Sequence, residues 1–135
     1  MKKENKTLTG SEWTVMSALW GHEPQMLSEV IEALRGSVKW GYSTYATHLN
    51  RLCEKGFAGY RQRGRNRFYY PKVKMEDCIR AESKSLRERL GNEGRKQLLL
   101  CMIEDIDLDE KDRKELDALV ERLSKKRGTQ NDEPT

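Results

Sequence analysis

Residues 40–73 constrain the fold of this chain more tightly than any other part of it. Placed on a helical wheel, residues 43–55 gather Tyr45, Leu49, Leu52 and Cys53 on one side. That stripe is wide enough to seat a helix on a small core. Ser43, Thr47, Asn50 and Glu54 fall opposite, flanked by Thr44 and Arg51. Gly56 then stands where a helix end calls for a left-handed residue.

Two aromatic-rich runs follow, residues 57–63 and 67–73, with Gly64, Arg65 and Asn66 as the turn between them. Arg61, Arg63, Arg65 and Arg67 recur on every second residue. Strand side chains alternate faces, so the arginines of each arm are expected on one side and Tyr60, Phe68 and Tyr70 on the other. The turn leaves the parity between the two arms open. Pro71 suits the end of an edge strand, where its missing N–H is harmless. A helix followed by a basic hairpin is the layout of a winged helix-turn-helix.

The outer helix face is built from short hydroxyl and amide groups with one arginine. Such a face can approach phosphates and base edges in a major groove closely. A merely solvated helix is the ordinary alternative, and the hairpin weighs against it. Between residues 41 and 73 stand Arg51, Lys55, Arg61, Arg63, Arg65, Arg67 and Lys72, against Glu54 as the lone acid. Residues 1–73 hold 12 basic and 6 acidic side chains, and residues 74–135 hold 14 and 16. The overall charge of +4 is modest, but the basic field belongs to the N-terminal half.

Upstream, Thr9 and Glu12 form a capping box ahead of Trp13, Val15, Met16, Leu19 and Trp20 at helical spacing. A break at residues 21–24 ends that helix. Met26 and Leu27 are expected in a short third strand, and Ser28 is expected to cap a second helix that buries Val30, Ile31 and Leu34. Ser43 is the expected cap of the third helix. Trp13, Trp20 and Trp40 read most simply as core residues, with a place against the DNA backbone as the alternative for Trp40, just ahead of the third helix.

Beyond residue 74 the chain reads as three helices. Residues 75–90 carry the sparse apolar set Cys78, Ile79, Leu86 and Leu90, and residues 91–94 interrupt. Leu98, Leu99, Met102 and Ile103 belong to the most apolar run in the chain, and Asp109 opens a last helix with Leu116, Leu119, Val120 and Leu123. About sixty residues of amphipathic helix bury too little to stand alone, so these side chains are expected in an interface with a second copy of the chain, the alternative being that they fold back onto the winged helix as one monomeric core. The expected organisation is thus mostly α with a small β-hairpin wing: a winged helix-turn-helix over residues 1–73, a helical dimerisation region over 74–127, and a disordered tail over 128–135.

No apolar run is long enough to cross a bilayer, and no hydrophobic segment stands behind the N-terminal lysines, so neither a membrane span nor a signal peptide is expected. Cys53, Cys78 and Cys101 are odd in number and widely spaced, which fits a reducing, cytoplasmic setting rather than a disulfide framework. His22 and His48 have no neighbours that would make them a base or a ligand, and no phosphate loop or nucleophile elbow is present. The reading therefore calls for no enzyme activity, cofactor or metal. Two non-enzymatic alternatives stand beside DNA binding: a winged helix that binds RNA, and an interaction module whose wing docks an acidic partner. Neither gives a reason for a hydroxyl-faced helix, a basic hairpin and a dimer-forming tail together.

Four stretches carry a family resemblance over residues 8–124. They are Ser11, Glu12, Trp13, Val15, Met16, Leu19 and Trp20; then Trp40, Thr44, Thr47, Arg51, Leu52, Lys55 and Gly56; then Phe68, Tyr69 and Tyr70; and the apolar run 98–104. Together these resemble the penicillinase and methicillin-resistance repressors. The resemblance implies homodimeric winged-helix repressors on double-stranded palindromic operators of β-lactam-resistance or related stress genes. Carried over by position, it places operator contacts at Ser43, Thr44, Ala46, Thr47 and Arg51, with the wing arginines beside them. Family members often carry a basic residue at the positions of Ser43 and Ala46, so their operator sequence is not carried over, and often proline at that of Tyr42, so the helix start is less rigidly set here. The resemblance further implies a membrane-bound, zinc-dependent sensor protease that cuts the repressor, here at the bond between Cys101 and Met102, whose residues differ from the family's. Copper-responsive relatives use paired CxC motifs near the C-terminus, and none follows Cys101 here.

Overall fold

The computed structural model describes residues 7–131. In chain order the elements are α1 (Gly10–Leu19), α2 (Leu27–Leu34), α3 (Tyr42–Lys55), β1 (Ala58–Arg63), β2 (Asn66–Pro71), α4 (Met75–Arg89), α5 (Asn92–Asp105) and α6 (Glu110–Asn131). They form two compact units, one running through Gly91 and the other from Asn92 onward.

In the first unit, α1 begins with the expected capping box: the Glu12 N–H donates to Thr9 Oγ1 at 3.2 Å, and the Thr9 N–H donates to Glu12 Oε1 at 2.9 Å. The buried faces of α1, α2 and α3 meet through Val15, Met16, Leu19, Val30, Leu34, Leu49 and Leu52. Each large side chain removed from water here contributes about 1.5–3 kcal/mol. Trp13, Trp20 and Trp40 pack half-buried at the edge of this core, as expected of them. Gly56 closes α3 in the left-handed region at φ 87°, and its N–H returns to the carbonyls of α3.

Both expected serine caps are displaced. Helix α2 starts earlier than Ser28: Met26 is the N-cap, with its N–H donating to Glu29 Oε1 at 2.7 Å. Helix α3 starts ahead of Ser43, with Gly41 as N-cap and its carbonyl accepting from the Thr44 and Tyr45 N–H groups. The third strand also shifts, to a single bridge between Gln25 and Tyr69, paired through both backbone bonds at 2.9 and 2.7 Å. Met26 and Leu27 are thereby used for the helix start instead.

The first unit extends beyond residue 73. Cys78 of α4 is buried in the core, and the Trp20 indole N–H donates 2.9 Å to the Val73 carbonyl just before it. The first compact unit thus runs through Gly91 and takes in α4.

The second unit is a pair of helices. The expected interruption over residues 91–94 is shorter, because α5 already begins at Asn92 and includes Gly94. Asp109 caps α6, accepting the Asp112 N–H at 2.8 Å. The α6 backbone continues to Asn131, past the expected tail boundary at residue 128, and residues 132–135 lie outside the described residues. No residue of α5 is buried. No helix among the described residues is long and apolar enough to cross a membrane.

Candidate nucleic-acid interface

Helix α3 is held from beneath by Tyr45, Leu49 and Leu52, which fixes what it shows to solvent. Ser43, Thr47, Asn50, Arg51 and Glu54 are exposed, and Thr44 and Ala46 are half-exposed beside them. Trp40 packs against the Tyr45 ring at 5.1 Å and the His48 ring at 4.7 Å, so the approach to α3 is braced by aromatics. At the opposite end, Lys55 Nζ lies 2.6 Å from Glu12 Oε2, tying the last turn of α3 to the first turn of α1. Glu12 is 2% exposed, the one buried charged residue among those described. Burial alone would raise its carboxyl, but the hydrogen bond from Lys55 and the backbone N–H of Thr9 outweigh it, and the group titrates below its ordinary value.

The wing is a two-stranded antiparallel hairpin pairing Arg61 with Phe68, Gln62 with Arg67, and Arg63 with Asn66. Its loop is Gly64 and Arg65, with Gly64 alone at positive φ (63°), the pattern of a type II′ turn. This register matches each odd residue with an even one, so the arginines do not share a face. Arg61 and Arg63 lie on the side of Phe68 and Tyr70, and Arg67 lies on the opposite side with Tyr60 and Tyr69. The expected segregation of arginines from aromatics is therefore corrected: each of the three sits over a ring. Arg61 is 5.3 Å from the Tyr70 centroid, Arg63 is 6.0 Å from Phe68 and Arg67 is 4.2 Å from Tyr60. Such stacking leaves the guanidinium edges free to donate while limiting the rotamers to be frozen on binding. Arg65, at the tip, is exposed.

Tyr69 roots the wing, being 7% exposed and bridged to Gln25. The Tyr69 side chain beside it raises the Arg67 guanidinium above its ordinary value, so its charge is permanent. Burial raises the Cys53 thiol despite the nearby Arg67 and Lys72, and burial with Asp77 beside it raises Cys78. Neither is poised as a thiolate nucleophile. Among the described residues no cluster of His, Cys, Asp and Glu is arranged to hold a metal ion. The arrangement offers a polar helix face and a rigid cationic hairpin side by side, which is equipment for gripping an extended polyanion.

A family model described as penicillinase repressor matches residues 8–122. The chain belongs to the penicillinase repressor family. The penicillinase repressor of Bacillus licheniformis is 29% identical over 119 residues, covering 88% of this chain and 93% of that protein. The methicillin resistance regulatory protein MecI of Staphylococcus aureus is 28% identical over 115 residues, covering 84% and 94%. Among solved structures, the DNA-binding domain of the repressor BlaI is similar at 32% identity and a TM-score of 0.49, covering 57% of this chain and 93% of that one.

Within this repressor, the structure brings together the first-unit residues that sequence reasoning singled out. Ser43, Thr44, Ala46, Thr47 and Arg51 share the outer side of α3, and Arg61, Arg63, Arg65 and Arg67 all lie on the wing. Leu99, Met102, Ile103, Leu116 and Leu119 line a cleft of about 540 Å³ on the second unit, with Leu98 half-buried and Val120 and Leu123 exposed. Cys101 and Met102 are exposed on α5. Sequence reasoning missed the Glu12–Lys55 pair, whose members stand 43 residues apart with no periodic signal connecting them. Ser28 and Tyr42, read from the sequence only as a cap and a helix start, line a cleft together with Arg65, Asn66 and Arg67.

Proposed function

We propose that this protein represses transcription by holding double-stranded palindromic operator DNA as a homodimer, with α3 in the major groove and the wing on the flanking backbone. Membership of the penicillinase repressor family makes the chain a DNA-binding transcriptional repressor. The observation that carries the finer reading is the exposed hydroxyl and amide face of α3 beside three ring-stacked arginines. Short donors read base edges, while the arginines neutralise phosphates and release counterions.

Pairing of two copies rests on the second unit. Leu99, Met102, Ile103, Leu119, Val120 and Leu123 are all exposed there, an apolar surface that a lone copy leaves in water. A two-fold dimer would present two copies of α3 to half-sites about 34–36 Å apart. The regulated genes in this reading are β-lactam-resistance or related stress genes, and the working compartment is the cytoplasm. Induction follows when a membrane-bound sensor protease cuts between Cys101 and Met102, dividing the apolar surface of α5. The test is a gel shift with duplex from upstream of the protein's own gene, with random duplex and a matching RNA as competitors. Retarded, operator-specific complexes are expected. Equal competition by RNA, or no shift at micromolar protein, would overturn the reading.

A further inference from the structure

A cleft of about 350 Å³ opens where the starts of α2 and α3 meet the tip of the wing. Ser28, Tyr42, Arg65, Asn66 and Arg67 line it, and no carboxylate does. Met26, Leu27 and Tyr69 complete its wall, so two guanidinium, three hydroxyl and one amide side chain stand around the space beside two apolar ones. Arg67 is prearranged there: its guanidinium lies 4.2 Å over the Tyr60 ring, on the same face of the hairpin as Tyr69, which is buried in the core. A planar fork held against a ring keeps its edge donors available, so less freedom is lost when an anion arrives. Tyr42, on the first turn of α3, is 68% exposed despite its size, with its hydroxyl available.

We propose that this cleft seats one backbone phosphate of the bound duplex, gripped by Arg67 with Tyr42 and Arg65 beside it, and that this contact fixes how far α3 advances along the groove. The inference rests on the DNA-binding reading above and deepens it. Its reach is limited by the wing's geometry. Arg61 and Arg63 stand on the other face of the hairpin, over Tyr70 and Phe68, and so meet a different stretch of backbone. The phosphate coupled to Arg67 is therefore uncoupled from Arg61. Because Tyr42 belongs to α3 while Arg67 belongs to β2, one anion would bridge the reading helix and the wing. Free wing and helix need no such bridge to fold, so the contact acts on binding and not on stability.

The full-length protein would be titrated onto its operator duplex with each phosphate in turn replaced by a neutral methylphosphonate. Neutralising one phosphate per half-site beside the α3 groove should weaken the wild type about tenfold. Arg67→Gln should bind the unmodified duplex about tenfold more weakly and lose nothing further at that phosphate. Tyr42→Phe should lose about threefold, with partial coupling at the same position. Arg61→Ala should bind more weakly throughout yet keep its full sensitivity there. Thermal unfolding of Arg67→Gln should shift by only a few degrees, the loss of one exposed stacking contact on Tyr60. The cleft is overturned as a phosphate seat if Arg67→Gln remains as sensitive as wild type at every position, or if Arg61→Ala loses the same phosphate. A wild-type protein that binds no duplex overturns the DNA reading itself, a result distinct from normal binding with no phosphate coupled to Arg67.

Discussion

The two units of this repressor solve the problem of folding in opposite ways. The first buries Val15, Met16, Leu19, Val30, Leu49 and Leu52 almost completely, using elements scattered between residues 8 and 78. The second spends its apolar residues on a surface: none of α5 is buried, and Leu99, Met102, Ile103, Leu119, Val120 and Leu123 face outward. One unit is complete by itself, and the other has the composition of half a core. In the dimer proposed above, stability and pairing are housed separately. There, whatever separates two copies would act on the second unit and leave the α3 face and the wing whole.

Removing the second unit is the harshest test of that contrast. A fragment ending at Gly91 keeps α3, the wing and Cys78 of α4, so it should fold cooperatively and sediment as a monomer, while the full chain sediments as a dimer at micromolar concentration. Its operator affinity should fall by about two orders of magnitude or more, because the second half-site no longer benefits from a tethered partner. Cleavage between Cys101 and Met102 should have the same consequence. Immunoblots of cells exposed to a cell-wall antibiotic would then show an N-terminal fragment of about 100 residues, since chain length follows the cut. A full-length chain that is monomeric at those concentrations would break the comparison.

Next come the buried side chains. Leu52→Ala empties a site with 0% exposure and should destabilise the first unit by about 3 kcal/mol, whatever the protein concentration. Leu119→Ala should instead produce a loss that depends on concentration, because in the proposed dimer the group it removes meets a partner rather than its own core. Denaturant melts at two protein concentrations distinguish the two behaviours. A concentration-independent loss at Leu119 would place that residue in a monomeric core.

A smaller effect belongs to Glu12 and Lys55. Glu12→Ala leaves the Lys55 ammonium without its carboxylate, and since the lysine is partly exposed the loss should be about 1–2 kcal/mol, below that of a fully buried pair. The folded protein holds the Glu12 carboxyl below its ordinary value, so the unfolded chain binds the proton more readily. Stability from this group is present above the ordinary carboxylate pKa and is lost as pH falls through the depressed one. Glu12→Gln should accordingly flatten the acid side of the stability–pH curve. An acid limb as steep as that of wild type would remove Glu12 from this role.

How much of this was legible in the chain depends on the range of the interaction. The α3 stripe and its closure at Gly56 are local, repeat with helical period, and stand in the structure as read. The serine caps failed because Ser28 and Ser43 compete with neighbours for about 1 kcal/mol, and the Glu29 side chain and the Gly41 carbonyl close those ends earlier. Facing of the arginines was hidden by one residue in the turn: a loop of Gly64 and Arg65 inverts the parity that a three-residue turn would keep. Glycines at 91 and 94 suggested a break, yet α5 runs through Gly94, since one glycine in a helix costs only about 1 kcal/mol. The Glu12–Lys55 pair is long-range, and nothing periodic announces it.

The smallest expected effect sharpens the contrast within the first unit, between the helix that reads and the hairpin that holds. Arg61 is exposed and stacked on Tyr70, with no reach into the core, so Arg61→Ala should leave the melting temperature unchanged. In the proposed complex its guanidinium meets phosphate, and every duplex offers phosphates in the same helical array. Affinity should therefore fall by a similar factor, about three- to tenfold, on operator and random DNA alike, and the slope of log affinity against log salt should flatten by about one unit. Thr47→Ala should do the reverse, reducing operator affinity while leaving random duplex and the salt slope almost untouched, because its hydroxyl lies on the exposed face of α3. Fluorescence anisotropy over a salt series on both duplexes measures all four quantities. If Arg61→Ala altered sequence preference with the slope intact, base reading would have to be assigned to the wing and the holding role to α3.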